Sequence, residues 1–273
     1  MILLLLTTCV WSEPEQPPAL PPPPPAIQEP EQFPTVDIST YFTFGSYNTG
    51  GSSSGLSEYF QYYFEPGSKI YVGHSTTTYN NTGAFQDGLR QQLNNIGTLI
   101  QLDEKNFLNL DYFNLSDNQG GTANLFSVEF DHSFDPSLTA GLAINSSSYP
   151  GYSVQQIIPR IIWWPDESIS LNSRIYVTTS SLTSTKVCLS EKLSYFPSPQ
   201  WELQVGGVLG SSLNRIDNDT SVVYTQTQVQ NGSFFAGVGY KPIQNLKLDF
   251  CYEKAFFQGY LIDYFKGGAS IRF

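Results

Sequence analysis

Charge is scarce in this chain. Only 14% of its residues are Asp, Glu, Lys or Arg, where about a quarter is usual. Positive charge is the scarcer sign, 13 Lys and Arg against 24 Asp and Glu, for a net charge of −11. Nucleic-acid binders carry basic patches, so that class is excluded as a partner. Cysteine is almost missing too. Cys9, Cys188 and Cys251 are odd in number and widely spaced, which gives neither a disulfide framework nor a metal-ligand pattern. Histidine occurs twice, at His74 and His132, and no Cys-x-x-Cys, His-x-x-x-His, P-loop or Gly-x-Ser-x-Gly is present. No catalytic, cofactor-binding or metal-binding residues are therefore expected. Long apolar runs are also lacking, none approaching the ~18 residues of a membrane-crossing helix.

Aromatics, in contrast, reach 15%, and Gly, Ser, Thr and Asn are abundant, with a mean hydropathy of −0.21. Such a mixture suits a wall whose two faces meet different solvents. From Val36 onward the residues alternate as strands do. Leu246, Leu248, Phe250 and Tyr252 alternate with Lys247, Asp249, Cys251 and Glu253. Val36, Ile38, Phe42 and Phe44 oppose Asp37, Ser39, Tyr41 and Thr43, and Phe126, Val128 and Phe130 oppose Glu129 and Asp131. The turns between these runs are of two sorts that largely alternate. Short ones set proline beside an aromatic, as at Phe134-Asp135-Pro136, Trp164-Pro165 and Tyr240-Lys241-Pro242. Longer ones are rich in Ser, Asn, Gly and Thr, as at 47–55, 114–121, 145–151 and 211–221.

The final octet runs Lys266-Gly267-Gly268-Ala269-Ser270-Ile271-Arg272-Phe273. It resembles the C-terminal insertion signal of bacterial outer-membrane β-barrel proteins, with Lys266 as the polar residue, Gly268 as the glycine, Ile271 as the apolar residue and Phe273 as the terminal aromatic. That resemblance implies an all-β fold, a transmembrane up-and-down antiparallel barrel over residues 35–273, in the cell outer membrane among its lipids. It also implies insertion by the barrel-assembly machinery, and a monomer. The alternation predicts fourteen strands, at 35–46, 55–64, 68–78, 86–99, 105–115, 122–134, 137–147, 152–164, 168–179, 184–196, 200–210, 229–241, 245–256 and 263–273. The fourth is the weakest, since Leu89-Arg90-Gln91-Gln92-Leu93 does not alternate; without it the count is twelve.

Ahead of the barrel, residues 1–12 look like a signal peptide: an apolar run, Ile2 to Leu6, then small residues suited to cleavage after Ser12. Lipidation at Cys9 is the alternative. Residues 13–34 are proline-rich and read as an extended periplasmic tail.

Parity assigns the interior. The expected pore-lining charges are Asp37, Asp111, Glu129, Asp131, Glu202, Asp249 and Glu253, with Arg160, Arg174, Lys186, Lys192, Lys247, Lys266 and Arg272. Acids dominate the fifth and sixth strands and bases the eighth to tenth, as facing arcs across a water-filled bore. Glu191 falls in phase with the outward Val187, Leu189 and Leu193, so a bulge or a register shift is expected there. His74 and His132 fall on the outward face, away from any solute, which argues against an enzyme. The functional expectation is a passive channel for small hydrophilic solutes. A structural or adhesive barrel acting through its outer loops is the alternative.

Overall fold

The computed structural model describes residues 34–80, 87–182, 184–212, 216–217, 222–223 and 230–273. The expected leader (1–12, with Cys9) and nearly all of the tail (13–34) lie outside the described residues.

Fourteen long strands form the wall: β1 Thr35–Tyr47, β2 Ser52–Glu65, β3 Ser68–Asn80, β4 Arg90–Gln101, β5 Asn106–Asp117, β6 Thr122–Asp135 and β7 Leu138–Tyr149, then β8 Tyr152–Asp166, β9 Ile169–Ser180, β10 Lys186–Ser198, β11 Trp201–Ser212, β14 Gln230–Ile243, β15 Leu246–Phe257 and β16 Leu261–Arg272. Two short strands, β12 Ile216–Asp217 and β13 Val222–Val223, pair only with each other; the sequence had suggested a plain loop there. Every wall strand is antiparallel to its neighbours, and β1 pairs with β16, closing the cylinder. Fourteen is thus the strand number, and the doubtful fourth strand is real. It begins at Arg90 rather than 86, and its turn runs through 102–105.

The rim carrying the start of β1 and the end of β16 is called the near rim. Its turns are tight: Pro66-Gly67, Pro136-Ser137, Glu167-Ser168, Pro199-Gln200 and Gln244-Asn245. A proline has no N–H to give the ladder, and the pairing register shifts beside these turns, between Tyr63 and Glu65, Ser133 and Asp135, Trp163 and Asp166, Tyr195 and Ser198, and Tyr240 and Ile243. Aspartates lock several turns. Asp135 Oδ1 accepts the Ser137 N–H at 2.8 Å, and Asp166 Oδ1 accepts the Ser168 N–H at 2.7 Å. Around this rim Phe134, Trp163, Trp201 and Tyr240 face outward, and the last two rings lie 4.4 Å apart.

No bulge occurs at Glu191. The register runs unbroken from Cys188 to Tyr195, and Glu191 faces outward as its parity dictates. The expected irregularity is unnecessary because the Ser173 hydroxyl on β9 donates to its carboxylate at 2.6 Å, so the group is not left bare.

An outward apolar belt encircles the wall, with Ile38, Phe42, Phe60, Val72, Val128, Ile144, Val205 and Phe250 all exposed. Toward the far rim the polarity turns over on β3 to β7. There Tyr79, Leu93, Phe113, Leu115, Leu125 and Tyr149 point inward and are buried, while Thr76, Asn94, Asn114, Asn124 and Ser148 point outward. The wholly polar interior expected from the alternation therefore does not extend into this upper tier. Such a turnover is what a cylinder crossing a bilayer requires, since an outer face above the hydrocarbon would meet water and its apolar side chains would move to the inside. The inward group is one buried cluster that also takes in Tyr47 on β1, Ala255 and Phe257 on β15, and Ile262 and Tyr264 on β16.

Candidate functional site

The interior of the cylinder is the candidate site. Of the fourteen charges expected there, Asp37, Asp111, Glu129, Asp131, Arg160, Arg174, Glu202, Lys247, Asp249, Glu253 and Lys266 are buried on the inward face. Lys186, Lys192 and Arg272 lie on the same face and are partly exposed.

The acidic and basic arcs do not face each other across the bore; they abut. Arg160 on β8 reaches over β7 to β6, where its Nη1 bonds Glu129 and approaches Asp131 Oδ2 at 3.4 Å. Strand β7 permits the crossing because it offers only Gly141 and Ala143 beneath. A Cβ on Gly141 would collide with the Asp131 carboxylate. Arg160 is also the direct cross-strand partner of Arg174 on β9, and Arg174 Nη2 lies 3.6 Å from Glu129 Oε1. Two guanidiniums side by side would repel; the shared carboxylate holds them together.

A second cluster spans β11, β15, β16 and β1. Lys247 Nζ lies 3.1 Å from Glu202 Oε2 and 3.2 Å from Asp249 Oδ1, and Lys266 sits 3.9 Å above the Tyr41 ring. At the seam, Arg272 makes a two-pronged contact with Asp37, Nε to Oδ1 at 2.8 Å and Nη2 to Oδ2 at 2.9 Å. The terminal strand is thereby clamped to the first. Asp111 takes the Tyr71 hydroxyl and the Asn109 amide, the latter at 2.9 Å.

Sequence reasoning missed a set of inward aromatics. Tyr41, Tyr59, Tyr71, Tyr264 and Phe235 each pair across the ladder with a glycine: Gly268, Gly73, Gly97, Gly45 and Gly206. A Cβ on any of these glycines would strike the partner ring. Each ring therefore rests on the bare backbone beside it, along the wall instead of across the bore, a pairing that also shields the glycine backbone. The signal was readable, since every one of these residues has the inward parity of its strand. Lys69, inward and partly exposed on β3, was missed in the same way.

Cys188 and Cys251 are buried on β10 and β15, with β11 and β14 between them, and form no disulfide. Both histidines are outward. His74 Nδ1 and Asn94 Oδ1 are 2.8 Å apart, and His132 Nδ1 and Asn106 Oδ1 are also 2.8 Å apart. Among the described residues no group of three or more His, Cys, Asp or Glu is placed to hold a metal.

A closed fourteen-strand cylinder, apolar outside and charged within, is the fold of bacterial outer-membrane β-barrels. Solved structures bear this out at the level of fold. The monoaromatic hydrocarbon channel CymD superposes with a TM-score of 0.58 at 8% identity, covering 87% of each chain. The Ralstonia pickettii toluene transporter TbuX gives 0.54 at 10% identity, covering 88% of this chain and 90% of that one. The Acinetobacter baumannii outer membrane protein Omp33 gives 0.54 at 8% identity, covering 88% of this chain and 98% of its own. No family model and no curated protein matches the sequence.

Proposed function

We propose that this protein resides in the outer membrane, near rim toward the periplasm, as a passive channel for small hydrophilic solutes. The observation that carries the reading is the inward face. Every charge expected there lies on it, in a cylinder wider than the eight-stranded kind that side chains fill. Five of its inward aromatics rest on wall glycines, and the inward Lys186, Ser190 and Lys192 on β10 and Arg272 at the near rim keep water-accessible surface. Bound charge and hydroxyls along a wet path favour polar solutes over apolar ones. Both histidines face away from the bore, and the reading proposed is transport.

Reconstitution into planar bilayers tests it. Discrete conductance steps are expected, small in size because most inward side chains have little water-accessible surface, and Arg174→Glu is expected to change them. A silent bilayer containing correctly folded barrel overturns the proposal. The buried ion pairs favour a second reading, a rigid structural or adhesive barrel acting through its outer loops. Under that reading, deleting 214–220 abolishes partner binding and leaves permeability unchanged.

A further inference from the structure

We infer that the bore is selective for small anions, such as carboxylates and phosphates, although the chain as a whole is acidic. This inference rests on the channel reading and names the class of solute it passes.

A charge acts on a permeating ion most where it has no counter-charge and borders the bore, and by that measure the two signs are unequal. Asp37, Asp111, Glu129, Asp131, Asp249 and Glu253 are all buried, as is Glu202. Six of these seven have named partners: Glu129 and Asp131 are engaged by Arg160, Glu202 and Asp249 by Lys247, Asp37 by Arg272, and Asp111 by the Tyr71 hydroxyl. A neutralised pair sunk in the wall presents little field to the bore. The charged inward side chains that remain partly exposed are Lys69, Lys186, Lys192, Lys241 and Arg272, with Asp117 at the far rim the acid among them.

Two of them decide the matter. Lys186 opens β10 at the far end, and Lys192 lies halfway along the same strand. Neither makes an ion pair among the described residues. Lys192 pairs across the ladder with Asn172, two residues from Arg174, so it caps a basic strip whose other members are committed to Glu129. The acids that end strands at the rims, Asp117, Asp135 and Asp166, accept N–H groups of their own turns. At physiological ionic strength the screening length is about 8 Å, so the two unpaired ammonium groups act on an ion that passes within that distance. Exposed Lys and Arg are the groups that pores for anions and phosphate employ.

The test is the reversal potential of the reconstituted protein in a KCl gradient, with the single changes Lys192→Glu and Lys186→Glu, the double change, and the outward Lys254→Glu as control. The wild type is expected to show an anion-selective sign, shifted toward cations most by Lys192→Glu and reversed by the double change, while Lys254→Glu leaves it in place. A cation-selective wild type, or a double variant that keeps the wild-type potential, overturns the inference. Binding of the polyanionic dye pyranine to folded, detergent-held barrel is followed in parallel by fluorescence polarisation. A barrel that conducts nothing yet binds pyranine through Lys192 keeps the anion site and removes the channel. A barrel that conducts, binds no pyranine and prefers cations does the reverse.

Discussion

Gly141 decides how the interior charges are arranged. Its missing side chain is what lets the Asp131 carboxylate lie across β7 toward Arg160. Gly141→Val is expected to push Asp131 aside and destabilise the barrel by about 1–3 kcal/mol, the usual range for overpacking. Urea titration of barrel folded in lipid vesicles measures this, and Asp131→Ala added to Gly141→Val is expected to cost less than the sum of the two. Glu129→Ala is a harsher change. It leaves Arg160 and Arg174 as buried cross-strand neighbours without their shared anion, at a cost of about 3–5 kcal/mol for a broken buried pair. The same titration reads it. Neither network was legible in the sequence, although each member was. Parity places Glu129, Arg160 and Arg174 on one face, but which carboxylate meets which guanidinium depends on strand order and on the small residues of β7.

Single elements carry predictions of their own. The clamp between Arg272 and Asp37 joins β16 to β1. Because Arg272 is partly exposed, Arg272→Ala is expected to cost about 1 kcal/mol at most; a double-mutant cycle with Asp37→Ala isolates the coupling. In the turn between β4 and β5, the Asn106 side chain, with the Lys105 N–H, holds the Asp103 carboxyl below the usual carboxylate range. Ionised Asp103 thus steadies that turn above the ordinary aspartate pKa, and the gain is lost as pH falls through the lowered folded value. Protection of the Lys105 and Asn106 amides, taken relative to intrinsic exchange at each pH, is expected to fall in acid in the wild type and to lose that pH step in Asp103→Ala. Most strands were readable to within a few residues because alternation and proline turns mark them independently. The start of β4 was not. Leu89 and Leu93 are inward there, so the expected apolar-outward pattern is inverted.

At the scale of the whole molecule, the outer belt is uneven. At mid-strand the outward residue is Val128, Ile144 or Val205 on three strands but Glu58, His74 and Asn94 on β2, β3 and β4, where one hydrogen-bonded row connects them. In the proposed membrane setting, hydrocarbon therefore ends lower on that side. An arginine on the lipid face costs about 2–4 kcal/mol at the bilayer midplane and little near the interface. Val128→Arg is expected to cut the yield of folded, membrane-inserted barrel, judged by heat-modifiable gel mobility, and Asn94→Arg to spare it. Reading a polar interior along the full wall missed this tier, because alternation alone does not say which solvent bathes the outer face at each height.

Joining β1 to β16 also fixes an order of events. The contact between Asp37 and Arg272 spans 235 residues of chain, so the strand that completes the ring is made after every other wall strand. Until it docks, the half-built sheet has two free edges, each a template for wrong pairing. Such distant pairing is slow to form. Keeping those two edges apart until both strands exist is therefore a condition for closing this sheet in the right register.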